Sequence, residues 1–292
     1  MLLPPQVAEV LYFIALCMAL TLVVDYAVSR TVFRDKVIDI YGAPPAAFQV
    51  YASLVMYIPA VSAITVVAAV SGLSAVTAFL RHWISLRWRA IELYLYAPVL
   101  VYAVVSLYMV LGRALNVVDA SSLGRGRALI LRLLRIYVLA YPASLVPNAI
   151  LALGEEIGWR AFLTPRLLNL VGLPLTVLIV GLVWGLWHAP MYIFIRFRVP
   201  EYYSLRLSVS SYVALCILLS IPSTLFLLWS GSVLPAASLH GSVNALYRLT
   251  EIVTKIRSER RLRDLARASL ASVVSWSISI ALFTYIAARI LA

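Results

Sequence analysis

Long runs without a charged residue are the feature that most constrains this chain. Six such runs cover residues 46–79, 93–111, 136–154, 167–195, 207–247 and 268–288. A helix of about 20 apolar residues is long enough to cross a bilayer. Only 12% of the residues are charged and 63% are hydrophobic, whereas soluble domains carry about 25% charged residues. The sequence therefore predicts an all-α, multi-pass integral membrane protein, which we place in the cell membrane.

The runs divide into eight predicted spans. The run 207–247 is too long for one helix and breaks at the turn residues 230–235, while the run 46–79 is either one long tilted helix or contains a re-entrant piece. The predicted spans are about 7–28, 48–72, 92–111, 136–162, 174–195, 208–229, 232–252 and 268–290. We expect one transmembrane helical domain over residues 1–292, with a motif-bearing core at about 136–252.

The basic residues indicate a membrane surface rather than a nucleic acid as partner. The formal net charge is +12, and most Lys and Arg residues lie in the loops after the odd-numbered spans, which the positive-inside rule places in the cytoplasm. The basic segment 254–267 is expected to lie against anionic lipid headgroups. Because this segment has no aromatic interleaving and no nucleic-acid-binding fold is visible, nucleic acid is not expected as a partner. The oligomeric state is left open.

Cys17 and Cys216 lie in apolar runs and are interpreted as small buried hydrophobes.

Polar residues inside the spans are the most informative, because a charge near the bilayer centre costs roughly 2.5–3.5 kcal/mol on insertion scales. Glu155 and Glu156 are the acidic residues that lie well inside a predicted span or abut its core. Asp25, Glu92 and Glu251 fall at span ends, where interfacial solvation suffices. The two glutamates are therefore the first candidates for a functional site.

The spacing around the glutamates predicts an ion pair. Glu156 and Arg160 are four residues apart, so a helix places them on one face. Glu155 lies about 100° around the helix and points elsewhere, which leaves one carboxylate neutralised and the other available as a base. The alternative is a solvated charge cluster at a helix end.

Two further segments carry polar residues within spans. His188 precedes Pro190, which removes a backbone donor and loosens the helix locally; by itself His188 is typical of an interhelical hydrogen bond. His240 and Asn244 are four residues apart and are surrounded by small residues, which allow another helix or a substrate backbone to approach closely. Helix packing is the alternative interpretation of this segment.

Together the three segments contain the parts needed to activate water and to stabilise an oxyanion. They also contain candidate ligands for a divalent metal such as zinc, namely Glu155, His188 and His240. The residues alone do not choose between a metal-free site and a metal site. Other intramembrane chemistries lack their motifs: there is no H-E-x-x-H, no pair of mid-span aspartates and no serine in a G-x-S-G setting.

At these residues the sequence resembles the CPBP family of intramembrane proteases, also called the ABI or CAAX prenyl endopeptidase type and including Ras-converting-enzyme-like proteins. The family motif E-E-x-x-x-R is present as Glu155 to Arg160, and H-x-x-x-N is present as His240 to Asn244. The motif F-x-x-x-H appears with Trp184 in place of phenylalanine, ahead of His188. We expect this exchange to alter packing beside His188 without loss of chemistry. Nothing functional is carried over to residues 1–135.

The resemblance implies a peptidase with glutamate-activated water, either without a cofactor or assisted by a divalent metal. It implies roles for six residues: Glu155 as general base, His188 binding or polarising the water, His240 and Asn244 stabilising the oxyanion, and Glu156 and Arg160 orienting the site. The implied substrate is a membrane-associated peptide or lipidated protein, with prenylated CAAX proteins as one class. Alternatives are a non-catalytic scaffold or bacteriocin-immunity protein of the same family, and a transporter with a proton relay, which the lack of repeats disfavours.

Overall fold

The computed structural model describes residues 4–38, 44–197 and 205–291. Twelve α-helices and no β-strand occur in this part of the chain, which confirms the predicted all-α class. The helices are α1 (Pro5–Arg30), α2 (Ala46–Val55), α3 (Ile58–Ser71), α4 (Leu73–Trp83), α5 (Trp88–Ala114), α6 (Arg127–Ala143), α7 (Ala149–Glu156), α8 (Thr164–Trp187), α9 (Ala189–Phe194), α10 (Leu205–Ser230), α11 (Leu234–Val253) and α12 (Arg261–Leu291). Two π-helical segments, Ser144–Asn148 and Ile157–Leu163, join α6 to α7 and α7 to α8.

Six stretches of the described helices are long and apolar enough to cross a membrane. One of them, Gly126–Phe194, has 69 residues and contains two of the predicted spans, which separate where Gly172 adopts a non-helical φ of 74° inside α8. Helix α11 is not among these six stretches; it carries the polar residues of the third motif together with Arg248 and Glu251. The eight predicted spans are therefore compatible with the fold, although only six stretches of the described helices are long and apolar enough to cross a membrane.

The run 46–79 is a broken helix. Helices α2 and α3 are separated at Met56 and Tyr57, and Gly72, with φ 85°, separates α3 from α4. Only Ala46–Ser71 qualifies as a span in this region. Helix α4 has no buried residue, so the second half of the run adds an exposed amphipathic helix and not a second span.

The chain divides into two compact units, Met1–Ile91 with Leu151–Ala237, and Glu92–Ile150 with Ser238–Ala292. We call them unit 1 and unit 2 and describe each by itself. The predicted single transmembrane domain stays a prediction.

Unit 1 is built around the pairing of α8 with α10, with α1 and α3 packed beside them. The pairing is close because Gly181 and Gly185 lie one helical turn apart on α8. A Cβ atom at Gly181 would lie 2.5 Å from the Cα atom of Ile217, and one at Gly185 would lie 2.4 Å from the Cα atom of Val213. Small residues at this spacing let helix backbones approach each other in membranes.

Helix α1 packs against the rest of unit 1 through a stripe of buried residues that are spaced four apart. The stripe consists of Phe13, Cys17, Thr21, Asp25 and Ser29. Cys17, like Cys216 of α10, is a free and buried thiol, as predicted. Asp25 is fully buried and accepts a 2.6 Å hydrogen bond from Tyr51 Oη. The expectation that Asp25 is solvated at a span end is therefore wrong, because α1 continues to Arg30 and α2 covers the aspartate.

Unit 2 contains α5, α6 and α12 with most of α11. The rings of Tyr102 and Tyr137 stack at 4.6 Å between α5 and α6. The basic segment before α12 is fixed by Arg257, whose guanidinium donates to both carboxylate oxygens of Asp264 at 2.7 and 2.8 Å. This bidentate pair orients part of the segment that was predicted to lie against lipid headgroups.

Candidate active site

The glutamates of the first motif lie where an α-helix changes into a π-helix. Helix α7 ends at Glu156, and the π-helical segment Ile157–Leu163 follows directly. The hydroxyl of Thr164 donates to the carbonyl oxygen of Trp159, five residues earlier, at 2.8 Å. π-Helical turns of this kind occur frequently at functional sites because they re-aim side chains within a helix.

Glycines hold this segment against the junction of α2 and α3. A Cβ atom at Gly154 would lie 2.6 Å from the carbonyl oxygen of Met56, and one at Gly158 would lie 2.4 Å from Cβ of Pro59. Real Cβ contacts are essentially never this short. The two glycines, four residues apart, therefore fix the depth at which the glutamates between them sit in unit 1.

Glu156 and Arg160 form the predicted pair. Arg160 Nε lies 3.2 Å from Glu156 Oε2, an ion-pair contact without hydrogen-bond alignment, and both side chains are fully buried. Arg160 Nη2 also donates to Ser220 Oγ of α10 at 3.2 Å. The guanidinium lies 4.4 Å from the ring centroid of Trp184. The alternative of a solvated charge cluster at a helix end is thus wrong, because these side chains are buried.

Glu155 points to a different partner, as its position on the helix predicted. Trp184 Nε1 donates to Glu155 Oε2 at 2.5 Å, and Glu155 is 2% exposed. Indole is a donor only, so this contact orients the carboxylate without competing for a proton. The exchange of phenylalanine for Trp184 therefore does more than alter packing: it adds a hydrogen bond that phenylalanine cannot make.

His188 lies at the end of α8 with one ring nitrogen fixed. Its backbone N–H bonds to Gly185, three residues earlier, at 3.3 Å, and its ring Nδ1 lies 3.0 Å from the carbonyl oxygen of Trp184. Because a carbonyl only accepts, Nδ1 is assigned the hydrogen, and in the neutral ring Nε2 is then the acceptor. The ring is half-buried and contacts Trp187 and Tyr212, each at 4.8 Å between ring centroids.

Three residues to which the sequence interpretation gave no catalytic or binding role support this site. Trp184 binds Glu155, Ser220 binds Arg160, and Thr21 accepts a 2.6 Å hydrogen bond from Trp187 Nε1. Thr21 lies in the half of the chain to which nothing functional was assigned. A sequence signal existed for Thr21, since polar residues recur every four residues along α1; none existed for Ser220.

The third motif lies in unit 2, on α11. His240 is 7% exposed and Asn244 is exposed. The small residues around them pack as expected: a Cβ atom at Gly241 would lie 2.6 Å from the backbone nitrogen of Ala149, and Ser238 Oγ donates to the carbonyl oxygen of Tyr94 at 2.7 Å. The structure thus brings Glu155, Glu156, Arg160 and His188 together in unit 1, and the roles of His240 and Asn244 stay predictions.

The described residues do not offer an evident metal site. No group of three or more His, Cys, Asp or Glu side chains is placed to hold a metal ion in the part of the chain that the structure describes. The candidate ligands Glu155 and His188 instead make contacts with Trp184, through its indole nitrogen and its carbonyl oxygen. We derive no step through a metal ion.

Residues 137–246 match the model of a family described as Rce1-like, type II CAAX prenyl endopeptidase Rce1-like. The matched segment includes all three motifs, from Glu155 to Asn244. The match confirms the predicted resemblance of this segment to the CPBP, or CAAX-protease, family of membrane proteins. No curated protein matches the chain significantly.

Proposed function

We propose that this protein is an intramembrane endopeptidase that hydrolyses a peptide bond near the C terminus of a membrane-associated substrate. The observation that carries the proposal is that the two glutamates have different partners. Glu156 is neutralised by Arg160, whereas Glu155 is held by an indole N–H that cannot take a proton. A carboxylate that is buried and oriented by a neutral donor is suited to act as a general base.

The proposed reaction needs no covalent enzyme intermediate. A water molecule attacks the scissile carbonyl carbon and loses one proton to Glu155, so that a C–O bond forms and the carbonyl oxygen becomes an oxyanion. The oxyanion then collapses, the C–N bond breaks, and Glu155 returns the proton to the departing nitrogen. The products are one new carboxylic acid and one new amine.

The other motif residues have supporting roles in this proposal. His188 Nε2 accepts a hydrogen bond from the attacking water, because Nδ1 is committed to the Trp184 carbonyl. His240 and Asn244 donate to the oxyanion; this assignment rests on the third motif and the family resemblance. Such donors are typically among the largest contributions to catalysis of acyl transfer.

An open apolar groove in unit 1 supports a lipidated substrate. It has a volume of about 630 Å³ and lies between α8, α9 and α10, flanking His188 in the sequence on both sides. The lining residues include Leu182, Leu186, Ala189, Ile193, Val213 and Ile217. A groove with almost exclusively apolar walls suits an isoprenoid or acyl chain, so prenylated CAAX-type peptides are the first substrates to test.

The test compares wild type with Glu155→Ala, purified in detergent and in liposomes, on prenylated and unprenylated C-terminal peptides read by mass spectrometry. We expect cleavage by wild type and a loss of about 10²–10⁴-fold in the variant, the usual contribution of a general base. Glu259→Ala, at an exposed glutamate before α12, is the matched control and should cleave normally. Thermal unfolding of all three proteins separates lost chemistry from lost folding.

The outcomes distinguish the alternatives. If no peptide is cleaved and Glu155→Ala markedly lowers the unfolding temperature, the buried charges are structural and the non-catalytic scaffold is favoured. If cleavage occurs and a chelator abolishes it in wild type, the metal-free mechanism is wrong.

A further inference from the structure

We propose that Trp184 is a positioning residue, whose indole N–H fixes one oxygen of the Glu155 carboxylate so that the other oxygen receives the proton. This inference rests on the proposed function. It concerns the residue at which the second motif departs from its usual phenylalanine.

Trp184 contacts three motif residues at once. Its indole Nε1 donates to Glu155 at 2.5 Å, its ring lies under the guanidinium of Arg160 at 4.4 Å, and its carbonyl oxygen lies 3.0 Å from His188 Nδ1. The side chain is 1% exposed, so the indole is enclosed by the protein around it. Trp184 thus contacts the proposed base Glu155, the cation Arg160 and the histidine His188, and fixes their positions around its own side chain and carbonyl group.

The contacts separate into two chemical roles. A phenylalanine at position 184 retains the aromatic face for Arg160 and the backbone carbonyl for His188, because neither contact uses the indole nitrogen. It loses the donor to Glu155 Oε2. A hydrogen bond to a carboxylate is charge-assisted and directional, so its loss allows the carboxylate to rotate away from the attacking water.

The effect should fall on the chemical step. We expect Trp184→Phe to decrease kcat by about 10- to 100-fold, because the lost hydrogen bond is made to a charged group and acts on the base itself. KM should change by less than about threefold, because Trp184 does not line the apolar groove that we assign to the substrate.

Trp159 provides a matched control. It is fully buried in the adjoining π-helical segment, and its Nε1 has no hydrogen-bond partner among the described residues. Trp159→Phe therefore removes the same volume and the same chemical group without removing a hydrogen bond. We expect it to keep kcat within about twofold of wild type.

A spectroscopic measurement tests the hydrogen bond independently of activity. Ultraviolet resonance Raman spectroscopy reports the hydrogen bonding of indole N–H groups. Glu155→Ala should shift one tryptophan signal towards the non-bonded position, and the shift should vanish when Glu155→Ala is introduced into Trp184→Phe. The same change in the Trp159→Phe background should retain the shift.

The outcomes are separable from those of the proposed function. Loss of kcat at unchanged KM in Trp184→Phe, together with the Raman shift, supports the positioning role. Equal kcat in Trp184→Phe and Trp159→Phe overturns it, as does the absence of the shift. If wild type cleaves no peptide, the peptidase proposal fails and takes the positioning role with it, while the Raman shift still decides whether Trp184 binds Glu155.

Discussion

Unit 1 buries two carboxylate sites, and they are built differently. At the motif site, Glu155 and Glu156 have an indole N–H and an arginine as partners. At the other site, on α1, Asp25 has Tyr51 as its hydrogen-bond donor, and its Oδ2 has no hydrogen-bond partner among the described residues. Both sites are almost inaccessible to solvent, so burial does not distinguish them.

The number and charge of the donors do distinguish the two sites. A buried carboxylate is tolerated when it is paired and hydrogen-bonded, and a cation compensates its charge far better than a neutral hydroxyl does. The motif site contains a cation that is itself anchored by Ser220 on α10. We infer that the motif site is organised to keep charged groups in fixed positions, and that the Asp25 site is a local packing arrangement between α1 and α2.

The largest difference should appear when the cation is removed. Arg160→Leu leaves Glu156 buried without its counter-charge, and breaking a buried pair from one side typically costs about 3–5 kcal/mol. We expect a marked decrease in unfolding temperature in detergent, measured by differential scanning fluorimetry or by loss of helical circular dichroism.

Arg166→Leu is the control for this prediction. Arg166 pairs with Glu9 at 2.7 Å, but both side chains are partly exposed, at 22% and 18%. Partly exposed pairs contribute about 0–1 kcal/mol. Equal destabilisation by the two variants would contradict the view that the Glu156–Arg160 pair is a buried structural element of the motif site.

The sequence predicted the motif site better than the Asp25 site for a physical reason. The periodicity of a helix relates residues close in sequence, so the Glu156–Arg160 pair and the different direction of Glu155 follow from spacing alone. The burial of Asp25 depends on Tyr51, which lies 26 residues away on another helix. Likewise, the Trp184–Glu155 bond joins residues 29 positions apart, and no local pattern reveals it.

The same reasoning applies to the fold. Charge-free runs identified the helical class because crossing a bilayer requires only length and composition. The break of the run 46–79 and the π-helical turns depend on close tertiary contacts, such as that between Gly158 and Pro59. The sequence did contain a signal for this contact, because small residues four apart, such as Gly154 and Gly158, allow another backbone to approach a membrane helix closely.

A smaller effect is expected when the donor at the second site is removed. Tyr51→Phe leaves the Asp25 carboxylate without the hydroxyl that binds its Oδ1. Interhelical hydrogen bonds in membrane proteins contribute about 0.6–2 kcal/mol, so the loss of stability should be clearly below that of Arg160→Leu. Unfolding temperatures measured side by side in one detergent test this order; a Tyr51→Phe variant as unstable as Arg160→Leu would contradict it.

The smallest effect is expected for Asp25→Asn. The amide oxygen still accepts from Tyr51, and the substitution removes a charge that no cation compensates among the contacts described for Asp25. The stability should stay within about 1 kcal/mol of wild type, and peptide cleavage should be unchanged.

The same acid-to-amide change at the motif site makes this last prediction decisive. Glu156→Gln also removes one negative charge, but it leaves Arg160 buried without a counter-charge, and we expect a cost of about 3–5 kcal/mol. If Asp25→Asn is as destabilising as Glu156→Gln, the charge of Asp25 has a compensating group. The two carboxylate sites would then be of the same kind, and the distinction between a functional site with a buried counter-ion and a packing site without one would have to be abandoned.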